Sequence, residues 1–290
     1  MTGGEYRVAD PAELRIDTAF GEIAALHWGD ADAPPLLALH GWLDNAGSFA
    51  RLAPLLAAKR HVIALDLPGH GHSAWLPGTA RRYHIVDQVD HVLDGADALD
   101  LEGFDLLGHS LGAGIASLVA AAAPARIGKL ALIEGLGPLA DDGAQTLARW
   151  RDAHGQRARP RRMPRVFASI EPAIRARVAA GGLHADEARP IVERNLREVE
   201  GGHAWRSDPR LRLATPLRID EAQLRRLLAG IEAPTLLLLA EPATPYLPPA
   251  LMEARASCVA DIRTAHVAGP HHLHIRHAPE VAERILAFLG

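Results

Sequence analysis

Ser110 lies in a pattern that would make a serine hydroxyl a nucleophile. Residues 108–112 read Gly-His-Ser-Leu-Gly, which is a Gly-x-Ser-x-Gly turn. The apolar run Phe104–Leu107 before it predicts a strand, and the small residues Ile115–Ala123 after it predict a helix. In such a tight turn the serine backbone is strained, the glycines remove clashes, and the hydroxyl is exposed near the positive end of the helix. This context favours attack on an acyl carbon over a passive serine in a glycine-rich turn.

A nucleophilic serine needs a general base, and a histidine-rich segment near the C-terminus offers candidates. Residues Val267–His274 precede Ala278–Glu280 and an amphipathic last helix, so they form the loop between the last strand and that helix. The Gly-x-x-His spacing within this loop favours His272 as the base. His271 is the alternative, and His274 is expected to pack within the loop. No Cys or carboxylate set at ligand spacing accompanies these histidines, so we expect no metal site.

Two backbone N–H groups are candidates for stabilising the oxyanion that such an attack would create. The continuous apolar strand Pro35–Leu39 ends in His40-Gly41-Trp42. The N–H of Trp42 and the N–H of Leu111, directly after the nucleophile, form the natural pair. The indole of Trp42 is expected only to line the pocket.

The base also needs an acidic residue that orients it, and two glutamates compete for that role. The apolar strand Pro234–Leu239 runs into residues 240–245, which contain Glu241 but no Asp. The strand Lys129–Ile133 ends directly at Glu134. A buried carboxylate at a strand end is costly without a partner. We therefore predict that Glu134 holds the histidine in the correct tautomer, with Glu241 as the alternative.

Strands alternate with helices along the chain, which predicts an α/β fold with a mostly parallel sheet covered on both faces. A hairpin over Glu13–Asp17 and Glu22–Trp28 opens the sheet, and the strand His61–Leu65 is followed by Asp66, which is expected to brace the next turn. A helix with Phe49, Leu52, Leu55 and Leu56 on one face is predicted after the first parallel strand, and another from Val86 to Leu99.

The stretch between Glu134 and Pro234 shows helical patterns and no strand signal. The predicted helical segments are Asp141–Asp152, Pro164–Ala180, Asp186–Glu200 and Asp220–Leu228. We therefore expect residues 1–138 and 231–290 to form the core, and residues 139–230 to form an inserted helical cap that covers Ser110 and excludes water.

An arginine-rich stretch lies within the expected cap. Residues 149–165 contain seven Arg and one Asp. We interpret this stretch as a solvated loop, because runs of charge usually face water. The alternative is an anion-binding rim for a substrate that carries phosphate or carboxylate, such as an acyl-CoA thioester.

Together these motifs resemble the α/β-hydrolase superfamily, and more narrowly the serine hydrolase-like family. The narrow resemblance rests on His40–Phe49 and Trp205–Leu211. The broader one rests on Asp66–Ser73, Gly108–Gly114 and Leu132–Pro138, and nearly the whole chain is covered. The resemblance implies acyl chemistry on a serine. We therefore predict hydrolysis of carboxylic esters or thioesters through an acyl-enzyme, which requires no cofactor or metal.

The chain departs from the usual family pattern at the acid. Many members place an Asp after the strand that corresponds to residues 234–239, where this chain has none. A Glu after the preceding strand is similar to the arrangement in haloalkane dehalogenases, whose nucleophile is an Asp rather than a Ser. Because position 110 is Ser, the resemblance implies acyl chemistry and not dehalogenation.

Composition sets further bounds. The 290 residues, 48% of them hydrophobic, suit one large core with an insertion. The net charge of −4 gives no nucleic-acid signal, and the single cysteine, Cys258, excludes an internal disulfide and favours a reducing compartment. With no N-terminal signal pattern, we expect a cytoplasmic enzyme that acts on a small molecule, without a nucleic-acid or membrane partner. A cofactor-free lyase or peroxidase with the same triad, and a non-catalytic ligand receptor, remain alternatives.

Overall fold

The computed structural model of the chain describes residues 10–156 and 165–290. Its main sheet has eight strands in the spatial order β1-β2-β4-β3-β5-β6-β10-β11. The first two pairs in this order are antiparallel and the remaining pairs are parallel, which confirms the predicted mostly parallel sheet. The strands of this sheet are β1 Ala12–Thr18, β2 Gly21–Trp28, β3 Pro35–Leu39, β4 His61–Leu65, β5 Phe104–His109, β6 Ile127–Ile133, β10 Thr235–Glu241 and β11 Ile262–Ala268.

The described helices and a second, smaller sheet complete the element list. The smaller sheet has the order β7-β9-β8 and is antiparallel. Its strands are β7 Val166–Phe167, β8 Leu196–Val199 and β9 Gly202–Trp205. The helices are α1 Ala53–Leu56, α2 Asp87–Ala98, α3 Leu111–Ala122, α4 Thr146–Gly155, α5 Ile170–Gly181, α6 Ala185–Asn195, α7 Glu221–Leu228, α8 Pro249–Ala256, α9 Leu273–Arg276 and α10 Ala278–Leu289. No helix within residues 10–156 and 165–290 is long and apolar enough to cross a membrane.

Both faces of the main sheet are buried, and the side chains of successive residues in a strand point to opposite faces. Leu37 and Leu39 of β3 join a core cluster with α2 and α3, whereas Leu36 and Ala38 join a second cluster with α1 and α10. A parallel strand with helices on both sides has no solvent face, so it reads as a continuous apolar run. This explains why the strand positions follow so directly from the sequence.

The predicted helix that carries Phe49 to Leu56 is divided in the structure. Residues Ala46–Phe49 form a 3₁₀ turn, and α1 begins at Ala53 with Pro54 in its first turn. Proline has no N–H to donate and its ring clashes with the carbonyl four residues earlier, so it starts a helix rather than continuing one. Leu55 is consequently partly exposed instead of buried.

Residues 139–230, called the insert below, contain strands that the sequence did not predict. The expected helix Asp186–Glu200 stops at Asn195, and β8 and β9 form a hairpin around Gly201 and Gly202. Both glycines have positive φ, and a Cβ at Gly202 would overlap the carbonyl oxygen of Phe167. Short strands of four residues give too little periodicity to be recognised. The insert also has its own apolar cluster, formed by Phe167, Ala173, Ile174, Leu183, Ala188, Ile191, Val192 and Leu196 with Ile275.

A buried ion-pair network joins helix α6 of the insert to the sheet. Nε of Arg194 lies 3.0 and 2.9 Å from the two carboxylate oxygens of Asp66, and its Nη1 lies 2.7 Å from Glu13. Asp66 also accepts the N–H groups of Ala46 and His72, so it braces the turn after β4 as expected. Since Asp66 is fully buried, Arg194 supplies the positive charge that its carboxylate requires.

Replacing Arg194 with Met should lower the free energy of unfolding by about 3–5 kcal/mol, because the buried carboxylate of Asp66 loses its counter-charge. Chemical denaturation of the variant and the parent measures this difference. Arg189→Met on the same helix is the matched control, since it breaks only exposed ion pairs, those with Glu171 and Glu193, and should change stability by at most about 0.5 kcal/mol. Equal effects of the two substitutions would contradict the prediction.

Candidate active site

The backbone of Ser110 is strained at the junction of β5 and α3. Its φ is 53° and its ψ is −112°, a conformation that non-glycine residues rarely adopt. The N–H of Ser110 donates to the carbonyl of Ile133 at 2.9 Å, which holds the turn against β6. A Cβ at Gly112 would overlap the carbonyl of Leu39, and one at Gly108 would overlap backbone of α3. The two glycines of the motif are therefore required by close packing of β3, β5 and α3.

Glu134 and His271 form the central hydrogen bond of the site. Oε2 of Glu134 lies 2.9 Å from Nδ1 of His271 and accepts the hydroxyl of Thr244, while Oε1 accepts the N–H of Ala240 at 2.6 Å. Burial would raise the pKa of Glu134, but hydrogen bonds from His271, Thr244 and Ala240 lower it below the usual value. An ionised carboxylate facing Nδ1 keeps the proton on that nitrogen, which leaves Nε2 of His271 as an acceptor.

His272 does not occupy the position that its sequence spacing predicted. Its Nε2 lies 3.3 Å from Oδ2 of Asp44, and the partner of Glu134 is the neighbouring His271. A short helix that the sequence spacing does not indicate, α9, begins directly after His272. The two adjacent side chains therefore contact different carboxylates.

Tyr246 is a site residue that the sequence reasoning missed. Its hydroxyl forms a side-chain hydrogen bond with Ser110, and its ring lies edge-on to His271 with centroids 5.4 Å apart. Burial and the charge of Glu134 raise the pKa of Tyr246 to about 12, against the opposing effect of the Ser110 hydrogen bond. The phenol therefore stays neutral. It stands in the loop after β10, five residues beyond the strand end, where no pattern marks it.

The loop after β3 is braced in a manner that suits an oxyanion hole. Leu67 N–H donates to Nε2 of His40 at 3.0 Å, and Nδ1 of His40 donates to the carbonyl of Gly41 at 2.7 Å. Burial lowers the pKa of His40 to about 4, so this brace is a neutral imidazole. None of the hydrogen bonds among the described residues uses the N–H of Trp42. Leu111 is the first residue of α3, where an N–H has no partner within the helix.

The remaining sequence candidates lie outside this arrangement. Glu241, the alternative acid, is exposed at the end of β10. His274 is fully buried against the ring of His109, with centroids 4.1 Å apart. Among residues 10–156 and 165–290, no group of three or more His, Cys, Asp or Glu side chains is placed to hold a metal ion. Within the arginine-rich stretch 149–165, residues 157–164 fall outside the described residues.

Comparisons with known proteins agree on the family and the fold. The α/β-hydrolase fold model matches residues 34–170. A serine hydrolase-like protein of Dictyostelium discoideum is 30% identical over 302 residues, which cover 99% of this chain and 84% of that protein. A hypothetical protein of Pseudomonas aeruginosa PAO1 has a crystal structure with a TM-score of 0.89 and 38% identity over 97% of this chain and 99% of its own. A thioesterase domain from the curacin biosynthetic pathway shares the fold, with a TM-score of 0.83 and 24% identity over 96% of this chain and 100% of its own.

The hydrogen bonds of Glu134 predict a pH-dependent stability. A carboxyl whose pKa is lowered by folding stabilises the protein above its unfolded pKa, and this contribution is lost as the pH falls through the folded value. Glu134→Gln should therefore cost about 1.5–3 kcal/mol of unfolding free energy at pH 7, the range for hydrogen bonds to a charged group. The gap should begin to shrink as the pH falls below 4.5, the usual pKa of a glutamate side chain, and continue to shrink toward the lowered folded value, because protonated Glu134 resembles glutamine.

Denaturation of the parent and the variant between pH 7 and pH 3 measures this gap. Glu241→Gln is the matched control, because it makes the same substitution at the exposed end of the neighbouring strand. It should leave stability nearly unchanged at every pH. A gap for Glu134→Gln that does not shrink on acidification would contradict the prediction.

Proposed function

Since this chain belongs to the α/β-hydrolase fold family, and within it to the serine hydrolase-like proteins, we propose that it hydrolyses carboxylic esters through an acyl-enzyme on Ser110. The observation that carries this proposal is the Glu134–His271 hydrogen bond of 2.9 Å beside a strained, elbow-type serine. Along the chain the nucleophile Ser110 comes first, the orienting acid Glu134 at the end of β6 comes second, and the base His271 comes third. This order of Ser, acid and His is typical of the fold.

In the first half of the reaction, the hydroxyl oxygen of Ser110 attacks the acyl carbon of the ester. Nε2 of His271 takes the hydroxyl proton, and Glu134 stabilises the resulting imidazolium through Nδ1–H. The carbonyl oxygen becomes an oxyanion, which the N–H groups of Trp42 and Leu111 stabilise. The bond to the alcohol then breaks, and His271 returns the proton to the leaving oxygen. The products of this half are the alcohol and an acyl group on Ser110.

In the second half, a water molecule replaces the alcohol. His271 takes a proton from the water as it attacks the acyl carbon, and a second oxyanion forms in the same hole. Its collapse breaks the bond to Ser110, which recovers its proton from His271. The carboxylic acid leaves and the enzyme returns to its starting state. The protein side chains supply every proton transfer, so this scheme requires no cofactor.

Side chains around Ser110 favour an acyl or alcohol group with apolar surface. Trp42 is 55% exposed and Tyr246, which is hydrogen-bonded to Ser110, is 50% exposed, so the loops after β3 and β10 both offer aromatic surface. The indole N–H of Trp42 donates to the carbonyl of Leu211 in the insert at 3.2 Å. We therefore assign residues 139–230 the role of a cap that shapes the pocket and limits water near the acyl-enzyme. Small to medium esters or thioesters fit this description.

Treatment with a fluorophosphonate should modify Ser110 and abolish ester turnover. The activated serine oxygen displaces fluoride from the phosphorus of the probe. The resulting phosphonyl ester on the serine is stable, because the enzyme hydrolyses it only slowly. Peptide mass spectrometry locates the adduct, and a panel of p-nitrophenyl esters of increasing chain length measures the parent activity. Ser110→Ala is the control and should neither label nor turn over. Folded, ester-hydrolysing protein with an unmodified Ser110 would refute the proposal.

His271→Ala should reduce kcat by about four orders of magnitude, because removing a triad member leaves only binding and oxyanion stabilisation. His272→Ala, the matched control one residue away, should lose clearly less, at most about 10²–10³ in kcat, since that side chain contacts Asp44 rather than Glu134. Steady-state kinetics on a short ester distinguishes the two variants. The reverse order of effects would show that His272 is the base.

A further inference from the structure

A second buried carboxylate lies beside the candidate site, and the proposed reaction does not use it. The side chain of Asp44 is 1% exposed. Its Oδ1 accepts a hydrogen bond from Nη2 of Arg177, and its Oδ2 lies 3.3 Å from Nε2 of His272. Arg177 belongs to α5 of the insert, whereas His272 precedes α9 of the core. Three separate segments thus meet at one carboxylate.

Asp44 ends the turn that carries the N–H of Trp42. Its own N–H donates to the carbonyl of Gly41 at 3.1 Å, which closes the turn Gly41–Asp44. Leu43 within this turn has a φ of 60°, a left-handed conformation that is unfavourable for leucine. A Cβ at Gly41 would lie 3.0 Å from His109 and 3.4 Å from Oδ2 of Asp44. The turn is therefore packed between the histidine before Ser110 and the carboxylate of Asp44, and it needs these contacts to hold its shape.

Arg177 provides the charge that allows Asp44 to be buried. Its side chain is 15% exposed, so little water screens the pair. A Cβ at Gly181 would overlap Nη1 of Arg177, so the glycine at the end of α5 leaves room for the guanidinium. Burial would raise the pKa of Asp44, but the hydrogen bond with His272 and the charge of Arg177 hold it well below the usual value. The other titratable groups that face Asp44 are buried imidazoles whose pKa values are lowered, namely His40, His109 and His274.

We propose that Arg177 and His272 are positioning residues that hold Asp44, and through it the turn that presents the Trp42 N–H to the oxyanion. The inference rests on the proposed function of Ser110 and extends it to the insert, because α5 then completes the oxyanion hole. Neither residue touches the reacting atoms. Loss of Arg177 leaves Asp44 as an uncompensated buried charge, which takes up a proton or turns toward water. In either case Leu43 and Trp42 lose their support.

The expected kinetic effect is selective for the transition state. A single oxyanion-hole donor contributes about 10²–10³ in kcat, so Arg177→Met should lower kcat of ester hydrolysis by up to that factor and leave KM nearly unchanged. The variant should also gain an acidic limb in its pH profile. Without Arg177 the pKa of Asp44 rises, so kcat falls as the pH drops through the new value, whereas in the parent Asp44 stays ionised there.

Arg51→Met is the matched control. Arg51 also joins the core to the insert, through ion pairs with Asp186 and Glu187, but it makes no contact with Asp44. Hydrogen–deuterium exchange of a peptide that covers residues 41–45 reads the order of the turn without any turnover. We expect residues 41–45 to exchange faster in Arg177→Met than in the parent, and to exchange at the parent's rate in Arg51→Met. Arg177→Lys keeps the positive charge but not the planar guanidinium with its several donors. It should therefore retain part of the kcat and part of the slow exchange that Arg177→Met loses.

Three outcomes would overturn the inference. Parental exchange at residues 41–45 in a folded Arg177→Met protein would show that the turn does not depend on Arg177. Equal effects of Arg177→Met and Arg51→Met would show a general loosening of the insert. A raised KM with an unchanged kcat would place Arg177 in substrate binding. If Arg177→Met does not fold, the same readouts on Arg177→Lys decide. A parent that hydrolyses no ester and does not label at Ser110 would instead refute the proposed function, and exchange would still test the turn.

Discussion

The burial of carboxylates at the carboxyl edge of the sheet is the constraint on which the rest of the site depends. Glu134 and Asp44 are both nearly removed from solvent, and a buried carboxylate is tolerated only with hydrogen bonds and compensating charge. Glu134 receives donors from His271 and from the loop after β10, and Asp44 receives them from α5 and His272. The two adjacent histidines thus serve different carboxylates, and the loop after β11 is held between them.

The same constraint explains how the insert is attached. Arg194 of α6 reaches Asp66 after β4, and Arg177 of α5 reaches Asp44 after β3. A guanidinium suits both places, because its planar fork of donors can satisfy two carboxylate oxygens and remains charged when buried. A helix that supplies a buried counter-charge cannot move away without leaving that charge uncompensated. The ion pairs therefore define where the insert sits on the sheet, beyond what apolar contact alone would specify.

Three ionisable groups of the candidate site and the loops that brace it, Tyr246, His40 and Glu134, have shifted pKa values. Tyr246 keeps its proton because its pKa is raised to about 12, and His40 stays neutral because burial lowers its pKa to about 4. Glu134 remains ionised because its hydrogen bonds outweigh its burial and keep its pKa low. His271 thus contacts the ionised carboxylate of Glu134 and the ring of the neutral Tyr246. Such a preorganised polar environment stabilises charge that develops during a reaction better than mobile water does.

The sequence by itself determined the parallel sheet, the elbow at Ser110 and the carboxylate at the end of β6. Buried parallel strands are continuous apolar runs, and the close approach at Gly112 leaves no alternative residue. Only the tertiary structure placed His271, and not His272, against Glu134, brought Tyr246 to Ser110 and paired Arg177 with Asp44. Local spacing cannot show where α9 begins. It also cannot show that Arg177 of α5, 133 residues along the chain from Asp44, contacts that carboxylate. Those contacts depend on three-dimensional packing, in which two adjacent residues such as His271 and His272 contact different partners.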